Sequence, residues 1–302
     1  MRTILPSILL ILLVTASITE NFGQITLSTQ AAVDAWDQSI TVLTEDLRIS
    51  GNSITNIDAL SSLTSIESKI EIRAARNLTN LDGLMNVTSL TGELEITSFT
   101  GITNLDGLNN LTVLEGTIHI ESCNALENVE GLSSLIEISG HLALRSNQRL
   151  ENINGLRNLN SLQGTLDLSF ARISNIDPLQ NLTTIPGELI LKFNGQLLNI
   201  DGLRNVTGIS GLLEISSSSI TDLNGLRNLT SISGNLKIIS NTSLENMDGL
   251  NGLKELDGTL FLSSLILMTN LDGLRNLSTI KGSLDINLNS NLSSLDLSLI
   301  HI

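Results

Sequence analysis

The sequence has very few aromatic residues and almost no cysteine or proline. Its 302 residues include no Tyr, one Trp, five Phe, three Pro and a single Cys. One cysteine cannot pair within its own chain, so an internal disulfide framework is excluded. A core of large aromatic rings is excluded as well, although 41% of the residues are hydrophobic. The core therefore has to be built from Leu, Ile and Val.

Positive charge and long apolar runs are also scarce. The chain has 16 Lys and Arg against 31 Asp and Glu, which gives a formal net charge of −15. A chain this acidic is repelled by phosphate backbones, so we expect no nucleic-acid partner. Beyond the N-terminus, no segment reaches the roughly 20 apolar residues that a membrane-spanning helix needs. We therefore expect no membrane span.

The first residues have the pattern of a secretory signal. Arg2 supplies the positive charge, residues 8–14 (ILLILLV) form the apolar segment, and residues 14–16 (VTA) fit a cleavage site. This pattern predicts a signal peptide at residues 1–16 and an extracellular protein, secreted or associated with a cell surface. The alternative is an uncleaved N-terminal anchor.

Most of the remaining chain repeats the unit N-L-D-G-L-x-N-L-T-x-L-x-G-x-L-x-I. Its first residue recurs every 23 or 24 positions, at Asn56, Asn80, Asn104, Asn128, Asn152, Asn175, Asn199, Asp222, Asn246 and Asn270. A fixed period in this range is typical of a solenoid, in which each repeat forms one coil and neighbouring coils stack.

Each repeat contains one segment with the alternation of a strand. In G-x-L-x-I, apolar and variable residues alternate with period two. Eleven such segments, from Leu47/Ile49 to Leu284/Ile286, predict about eleven parallel strands. The preceding glycine is expected to take a positive φ or to allow close backbone approach. The predicted fold is a mostly β, right-handed, leucine-rich-repeat-like solenoid over residues 46–302. Residues 17–45, which contain Trp36, are predicted to form a short helical cap.

The recurring glycine, aliphatic and turn positions of the repeat resemble those of the receptor L-domain family. The matching pattern is L-x-x-I-x-G-x-L-x-I, a variable turn, then L-x-N-L-D-G-L-x-N-L, with clear copies at residues 229–250 and 253–274. The resemblance covers about residues 45–297. The family includes the ligand-binding lobes of insulin and epidermal-growth-factor receptors and secreted microbial proteins. Residues 174–182 (SNIDPLQNL) are also similar to internalin-like bacterial adhesins.

The resemblance implies a secreted, non-enzymatic module that binds an extracellular protein or carbohydrate through its variable strand face. The alternative is a structural or adhesive component of a cell surface or wall. No nucleophile motif or phosphate-binding loop occurs, so we expect no enzyme and no cofactor. The sequence does not indicate an oligomeric state. The candidate ligand-binding residues are Glu95, His119, Arg145, Asp167, Ile190, Lys192, Glu214, Lys237, Ile239, Phe261 and Asp285.

Two arrangements raise the question of a metal site. His119 and His141 lie on neighbouring predicted strands near Glu95 and Glu121, a donor set that zinc accepts. An acidic or amide column also runs through the repeats and could bind calcium or cap the next backbone amides. We expect capping and no metal. The column comprises Asp58, Asp82, Asp106, Glu130, Asn154, Asp177, Asp201, Asn224, Asp248 and Asp272.

The sequence contains nine N-x-S/T sequons, at Asn77, Asn86, Asn110, Asn181, Asn205, Asn228, Asn241, Asn276 and Asn291. In a eukaryotic secretory pathway these would be glycan acceptors. Six share one repeat position (Asn86, Asn110, Asn181, Asn205, Asn228 and Asn276), so the alternative is that they serve the turn of the repeat.

Cys123 aligns with a different asparagine column, formed by Asn147, Asn194, Asn241 and Asn289. A small polar side chain at a turn can satisfy backbone groups, so we expect Cys123 to have a structural role.

Overall fold

The fold is a stack of coils built on one long β-sheet. The structure is a computed structural model and describes residues 18–21, 23–98 and 100–294; the predicted signal peptide lies outside these residues. The long sheet has thirteen strands. They are β1 (Ile18–Asn21), β2 (Gln24–Leu27), β3 (Asp46–Ser50), β4 (Lys69–Arg73), β5 (Glu93–Thr97), β6 (Thr117–Glu121), β7 (Leu142–Ala143), β8 (Leu166–Asp167), β9 (Leu189–Lys192), β10 (Leu213–Ser216), β11 (Leu236–Ile239), β12 (Leu260–Ser263) and β13 (Leu284–Asn287).

The strands from β2 to β13 pair in parallel. The predicted repeat solenoid is therefore confirmed, and the eleven predicted strands are β3 to β13. The pairing between β1 and β2 is antiparallel. Parallel pairing follows from the repeat, because each coil traverses the same path before it reaches the next strand.

The core is a continuous column of aliphatic side chains. Equivalent inward residues stack in register, as Ile70 does on Leu94 and Leu94 on Ile118. The core cluster extends from Leu27 to Ile280, and most of its members are fully buried. At about 25 cal/mol per Å² of apolar surface removed from water, this continuous burial is the main stabilising contribution. Neighbouring repeats share it, so one coil alone would not be stable.

Each coil also contains a short strand just before its long strand, and these short strands form two further sheets, which were not predicted. Their strands have two residues each. The first sheet comprises Val42–Leu43, Ser65–Ile66, Ser89–Leu90, Val113–Leu114, Glu137–Ile138 and Ser161–Leu162, and the second comprises Thr184–Ile185, Gly208–Ile209, Ser231–Ile232, Glu255–Leu256 and Thr279–Ile280. A two-residue strand is too short to show an alternating pattern, so periodicity could not reveal it.

A short 3₁₀ turn lies between each of the long strands β3 to β12 and the short strand that follows it. These turns are Asp58–Ser62, Asp82–Leu84, Asp106–Leu108, Glu130–Leu132, Asn154–Leu156, Asp177–Leu179, Asp201–Leu203, Asn224–Leu226, Asp248–Leu250 and Asp272–Leu274.

The side chain that caps these turns is not the predicted one. We expected the Asp of the N-L-D-G-L unit to accept the next backbone amides. Instead, the leading Asn accepts from the backbone N–H of that Asp, as Asn80 Oδ1 does from Asp82 N at 3.1 Å. Asn104 accepts from Asp106 N at the same distance. This is an Asx turn, made by the residue that begins each repeat.

The glycine before each strand permits close approach and does not supply a positive φ. A Cβ placed on Gly116 would lie 1.6 Å from the carbonyl oxygen of Gly92 in the preceding coil. The left-handed conformation occurs on the other side of the strand. There the column that begins with Ala74 and ends with Leu288 has φ between 51° and 65°.

The N-terminal cap consists of β1, β2 and one short helix. Helix α1 spans Gln30–Asp34, and the Thr29 hydroxyl accepts from Ala32 N. Trp36 lies two residues beyond the helix, not within it, and is only 7% exposed. The extra strand β2 pairs with β3, so part of the segment predicted to be a helical cap continues the long sheet. The predicted domain boundaries at residues 16 and 45 stay a prediction. Within the described chain, no helix has the length and apolar character needed to cross a membrane.

Candidate functional site

The outward side chains of β3 to β13, together with those of the few residues that directly follow each strand, form a surface that we call the strand face. All eleven predicted ligand-binding residues lie on it. Eight belong to one central column, in which the strand register stacks Glu95, His119, Ala143, Asp167, Ile190, Glu214, Lys237, Phe261 and Asp285. The other three, Arg145, Lys192 and Ile239, lie one column closer to the carboxyl ends of the strands. Their role in binding stays a prediction.

At the N-terminal end of the strand face, charged side chains neutralise one another. Lys69 Nζ lies 3.3 Å from Glu93 Oε2 and also donates to Glu95. Chiefly because of the hydrogen bond to Glu95, the pKa of Lys69 is raised above its ordinary value. Glu71 is held between Arg73, at 3.0 Å, and Arg48, at 3.6 Å. Glu95 is therefore part of an ion-pair ladder that links neighbouring coils.

The same pairing continues at His119. Its Nε2 lies 3.0 Å from Glu121 Oε2 and 3.0 Å from Arg145 Nη2. Arg145 Nε lies 3.8 Å from Asp167 Oδ2. His141 lies apart, because its Nδ1 accepts from the backbone N–H of Thr165 at 3.0 Å. Across the described ranges, no three His, Cys, Asp or Glu side chains come together as a metal site.

Two carboxylates in the middle of the strand face are buried. Asp167 and Glu214 are each 8% exposed. Asp167 Oδ1 accepts from Ser169 N at 3.0 Å. Glu214 accepts from the Ser216 hydroxyl at 3.1 Å and lies 3.1 Å from Lys192 Nζ. A buried carboxylate needs such partners, since desolvation otherwise disfavours its charge.

The C-terminal half of the strand face has an apolar character. The Lys237 ammonium lies 5.4 Å from the centre of the Phe261 ring, which is within the range of a cation–π contact. Ile190 and Ile239 are half-buried on the same face. Lys237 and Phe261 are register neighbours on β11 and β12.

The most distinctive feature of the strand face was missed at the sequence level. Phe170 and Phe193 follow β8 and β9, and their rings stack with centres 4.4 Å apart and planes 16° apart. They are 47% and 50% exposed. We considered only outward strand positions and not the turn residue that follows. The available signal was the column itself, in which Ser98, Ser122, Ser146, Ser217, Ser240 and Ser264 occupy the equivalent position.

The backbone of both phenylalanines is strained. Phe170 has a φ of 59° and Phe193 a φ of 54°. A left-handed conformation costs a residue with a Cβ about 1–2 kcal/mol, and bulky side chains are rare there. The same conformation occurs at the equivalent position of the other repeats, so it belongs to the repeat, and what distinguishes these two positions is the pair of exposed apolar rings.

Three buried donors in this part of the chain lack a hydrogen-bond acceptor, and two of them directly neighbour the phenylalanines in sequence. Among the described residues they are Arg145 Nε, Ser169 Oγ and Asn194 Nδ2. Backbone hydrogen bonds join this segment to the coils on either side. Ser146 N of the preceding coil donates to Ser169 O, and Phe170 N donates to Lys192 O of the following coil. The equivalent amides of Asn147 and Asn241 do find an acceptor, in Ile120 O and Ile215 O. The series of asparagine hydrogen bonds between neighbouring coils therefore lacks the bond of Asn194 Nδ2 beside β8, a strand of only two residues.

The fully buried column around Cys123 has the structural role that we expected. Cys123 N donates to Asn147 Oδ1 at 2.9 Å, and the thiol contacts Ile96 O and Glu121 O at 3.6 Å each. Asn241 belongs to the same column, is 0% exposed and accepts from Ser218 N. A glycan on Asn241 is incompatible with this fold, so the prediction of Asn241 as an acceptor is wrong.

The six sequon asparagines that share a repeat position are exposed, and each donates to the coil before it. Their acceptors are Ser61 O, Met85 O, Arg157 O, Gln180 O, Arg204 O and Asn251 O. Asn158 makes the same bond to Ser133 O outside any sequon. Asn77 and Asn291 donate to Asn52 O and Ile266 O. The turn role therefore accounts for the asparagine column, and glycosylation at the exposed positions stays a prediction.

No protein-family model matches the chain, and no curated protein matches it. Among solved structures, an internalin (inlF) of Listeria monocytogenes is 21% identical over 90% of this chain and 88% of its own, with a TM-score of 0.41. The functional domain of InlJ from Listeria monocytogenes is 21% identical over 82% of this chain and 66% of its own, with a TM-score of 0.30. A Leptospira interrogans LRR protein is 16% identical over 89% of this chain and 95% of its own, with a TM-score of 0.19. Likenesses this weak carry no argument about ligand or activity.

Proposed function

We propose that this chain is an exported, non-enzymatic recognition module that binds an extracellular protein or glycan through its strand face. The observation that carries this proposal is the exposed Phe170–Phe193 stack, held in strained backbone on a continuous sheet. Partly exposed ion pairs join neighbouring coils on the same face, as Arg145 pairs with Asp167 and Lys192 with Glu214. A rigid, preorganised surface with exposed aromatic groups is suited to binding, because little ordering is needed when a partner arrives.

The resemblance of the repeat columns supports a place for this chain in the receptor L-domain branch of leucine-rich-repeat-like solenoids. Scaffold columns define architecture and not ligand, so the function is argued from the strand face. A structural or adhesive surface component is the second candidate. One observation favours it: most predicted charged ligand-binding residues already pair with one another, as Arg145 does with Asp167 and Lys192 with Glu214.

The test of binding compares a variant altered on the strand face with a control variant altered at exposed residues outside it. Lys237→Glu with Phe261→Ser alters the strand face, whereas Lys254→Glu with Met85→Ser alters exposed residues elsewhere. Both are measured against immobilised collagen, fibronectin and laminin and against a panel of oligosaccharides. Binding that is lost only in the first variant supports the proposal. Equal binding by both variants, or no binding of any probe by the unmodified chain, contradicts it.

Export is tested separately, by the mass and N-terminal sequence of the protein recovered from a culture medium. A chain that begins near Ser17 supports export. A chain that keeps Met1 and stays inside the cell contradicts it.

A further inference from the structure

We propose that the Phe170–Phe193 stack is a platform for an uncharged sugar ring and that the polar groups beside it hydrogen-bond the hydroxyls of an oligosaccharide. This inference rests on the proposed function and narrows its ligand to one chemical class.

The first argument is steric. The two phenylalanines occupy adjacent coils, and the next residues of the column on either side are Ser146 and Ser217. Each ring uses one face for the stack. A serine is too small to cover the opposite ring face, which is consistent with the half-exposure of both side chains. The stack therefore leaves an open aromatic face at each end, and the C–H groups of a sugar ring pack well against such a face.

The second argument is electrostatic. Beside the stack, two cations and two carboxylates alternate: Arg145, Asp167, Lys192 and Glu214. Their charges sum to zero and are already paired, so a charged ligand gains little net attraction and would disturb these pairs. A hydroxyl both donates and accepts hydrogen bonds. It can therefore join such a network without altering its charge.

The third argument comes from the unpartnered donors. Ser169 is 3% exposed, and neither its hydroxyl nor Arg145 Nε has an acceptor. A buried donor without an acceptor destabilises the fold, and ligand hydroxyl oxygens would supply acceptors. The side chains of Arg145 and Lys192 are 41% and 34% exposed. They are free to change rotamer, a common response of side chains at an interface.

The experiment is calorimetric titration of the full chain with cellohexaose and mannohexaose, and with hexagalacturonate as a charged probe. The test variant is Phe170→Ser with Phe193→Ser, which installs the serine found in six other repeats and should keep the fold. The control variant is Met85→Ser with Ile136→Thr. It removes two apolar side chains of similar exposure, 51% and 54%, outside the strand face.

We expect a neutral hexasaccharide to bind the unmodified chain and the control variant equally. Affinity should fall by about tenfold or more in the test variant, which corresponds to about 1.4 kcal/mol, because both aromatic faces are lost. Ser169→Ala should weaken binding without lowering the midpoint of thermal unfolding, because it removes a buried hydroxyl that has no hydrogen-bond partner in the free chain.

Three results would overturn the inference: equal sugar binding by the test variant, preference for hexagalacturonate with strong salt dependence, or binding of matrix proteins alone. In the last case the proposed function stands and only the ligand class is wrong. If no probe of any kind binds the unmodified chain, both fail.

Discussion

Asn158 Nδ2 donates to Ser133 O at 2.8 Å, the same distance at which Asn181 Nδ2 donates to Arg157 O in the next coil. Only Asn181 begins a sequon. The two positions therefore separate the structural use of this asparagine column from any use in glycosylation.

The first prediction concerns this pair. In protein made in a bacterial host that attaches no N-glycans, Asn158→Ala and Asn181→Ala should lower the free energy of unfolding by similar amounts. The expected loss is about 1 kcal/mol each, the net contribution of one hydrogen bond. Chemical denaturation measures it. If Asn181→Ala alone were neutral, the turn role of the sequon column would be refuted.

A larger loss is predicted in the buried column. Asn241 accepts from Ser218 N and donates to Ile215 O while fully buried. Asn241→Leu has a similar size but leaves both backbone groups unpaired, so it should destabilise the chain by about 2–6 kcal/mol, at about 1–3 kcal/mol for each orphaned group. The matched control is Asn291→Leu, at an exposed position. A similar small loss in both variants would show that the hydrogen bonds of the buried asparagine column contribute little to the free energy of unfolding.

The repetition of the chain explains which features could be read from the sequence. Leu94 and Ile96 recur at equivalent positions in every coil, so the eleven strands and the core followed from periodicity alone. Phe170 and Phe193 break a serine column at a position outside the strand, and only the structure shows that they stack and take a positive φ. The glycine column illustrates a second limit. The sequence indicated a backbone constraint at Gly116. Close backbone approach and a positive φ both favour glycine, so the sequence alone could not show which of the two applies.

Gly116 gives a third prediction. A methyl group there would lie 1.6 Å from Gly92 O, whereas Gly195 has no atom within 4 Å of the corresponding point. Gly116→Ala should therefore destabilise the chain by about 1–3 kcal/mol or more through overpacking. Gly195→Ala should be neutral or slightly stabilising. Thermal unfolding of the two variants measures the difference. Equal midpoints would mean that neighbouring coils are not in close backbone contact before the strand.

The last prediction concerns acid stability. Asp46 accepts from the Ser68 hydroxyl and from Lys69 N, and these bonds hold the pKa of the Asp46 carboxyl below its ordinary value of 3.8. The lowered pKa means that the folded chain binds a proton less readily than the unfolded chain. Asp46 therefore contributes stability that is fully present above the ordinary value and is lost as the pH falls through the lower folded value.

In Asp46→Asn the side-chain oxygen still accepts both bonds, but it no longer titrates. The unfolding midpoint should therefore fall less steeply below about pH 4 in Asp46→Asn than in the unmodified chain. Asp58→Asn removes the same charge from an exposed side chain and serves as the control. Thermal unfolding between about pH 2 and 6 gives the slopes. Because Asp46 lies only partly buried on β3, solvent screening keeps the effect small. Its sign is the decisive observation: a steeper slope in Asp46→Asn would mean that the carboxylate does not stabilise the fold.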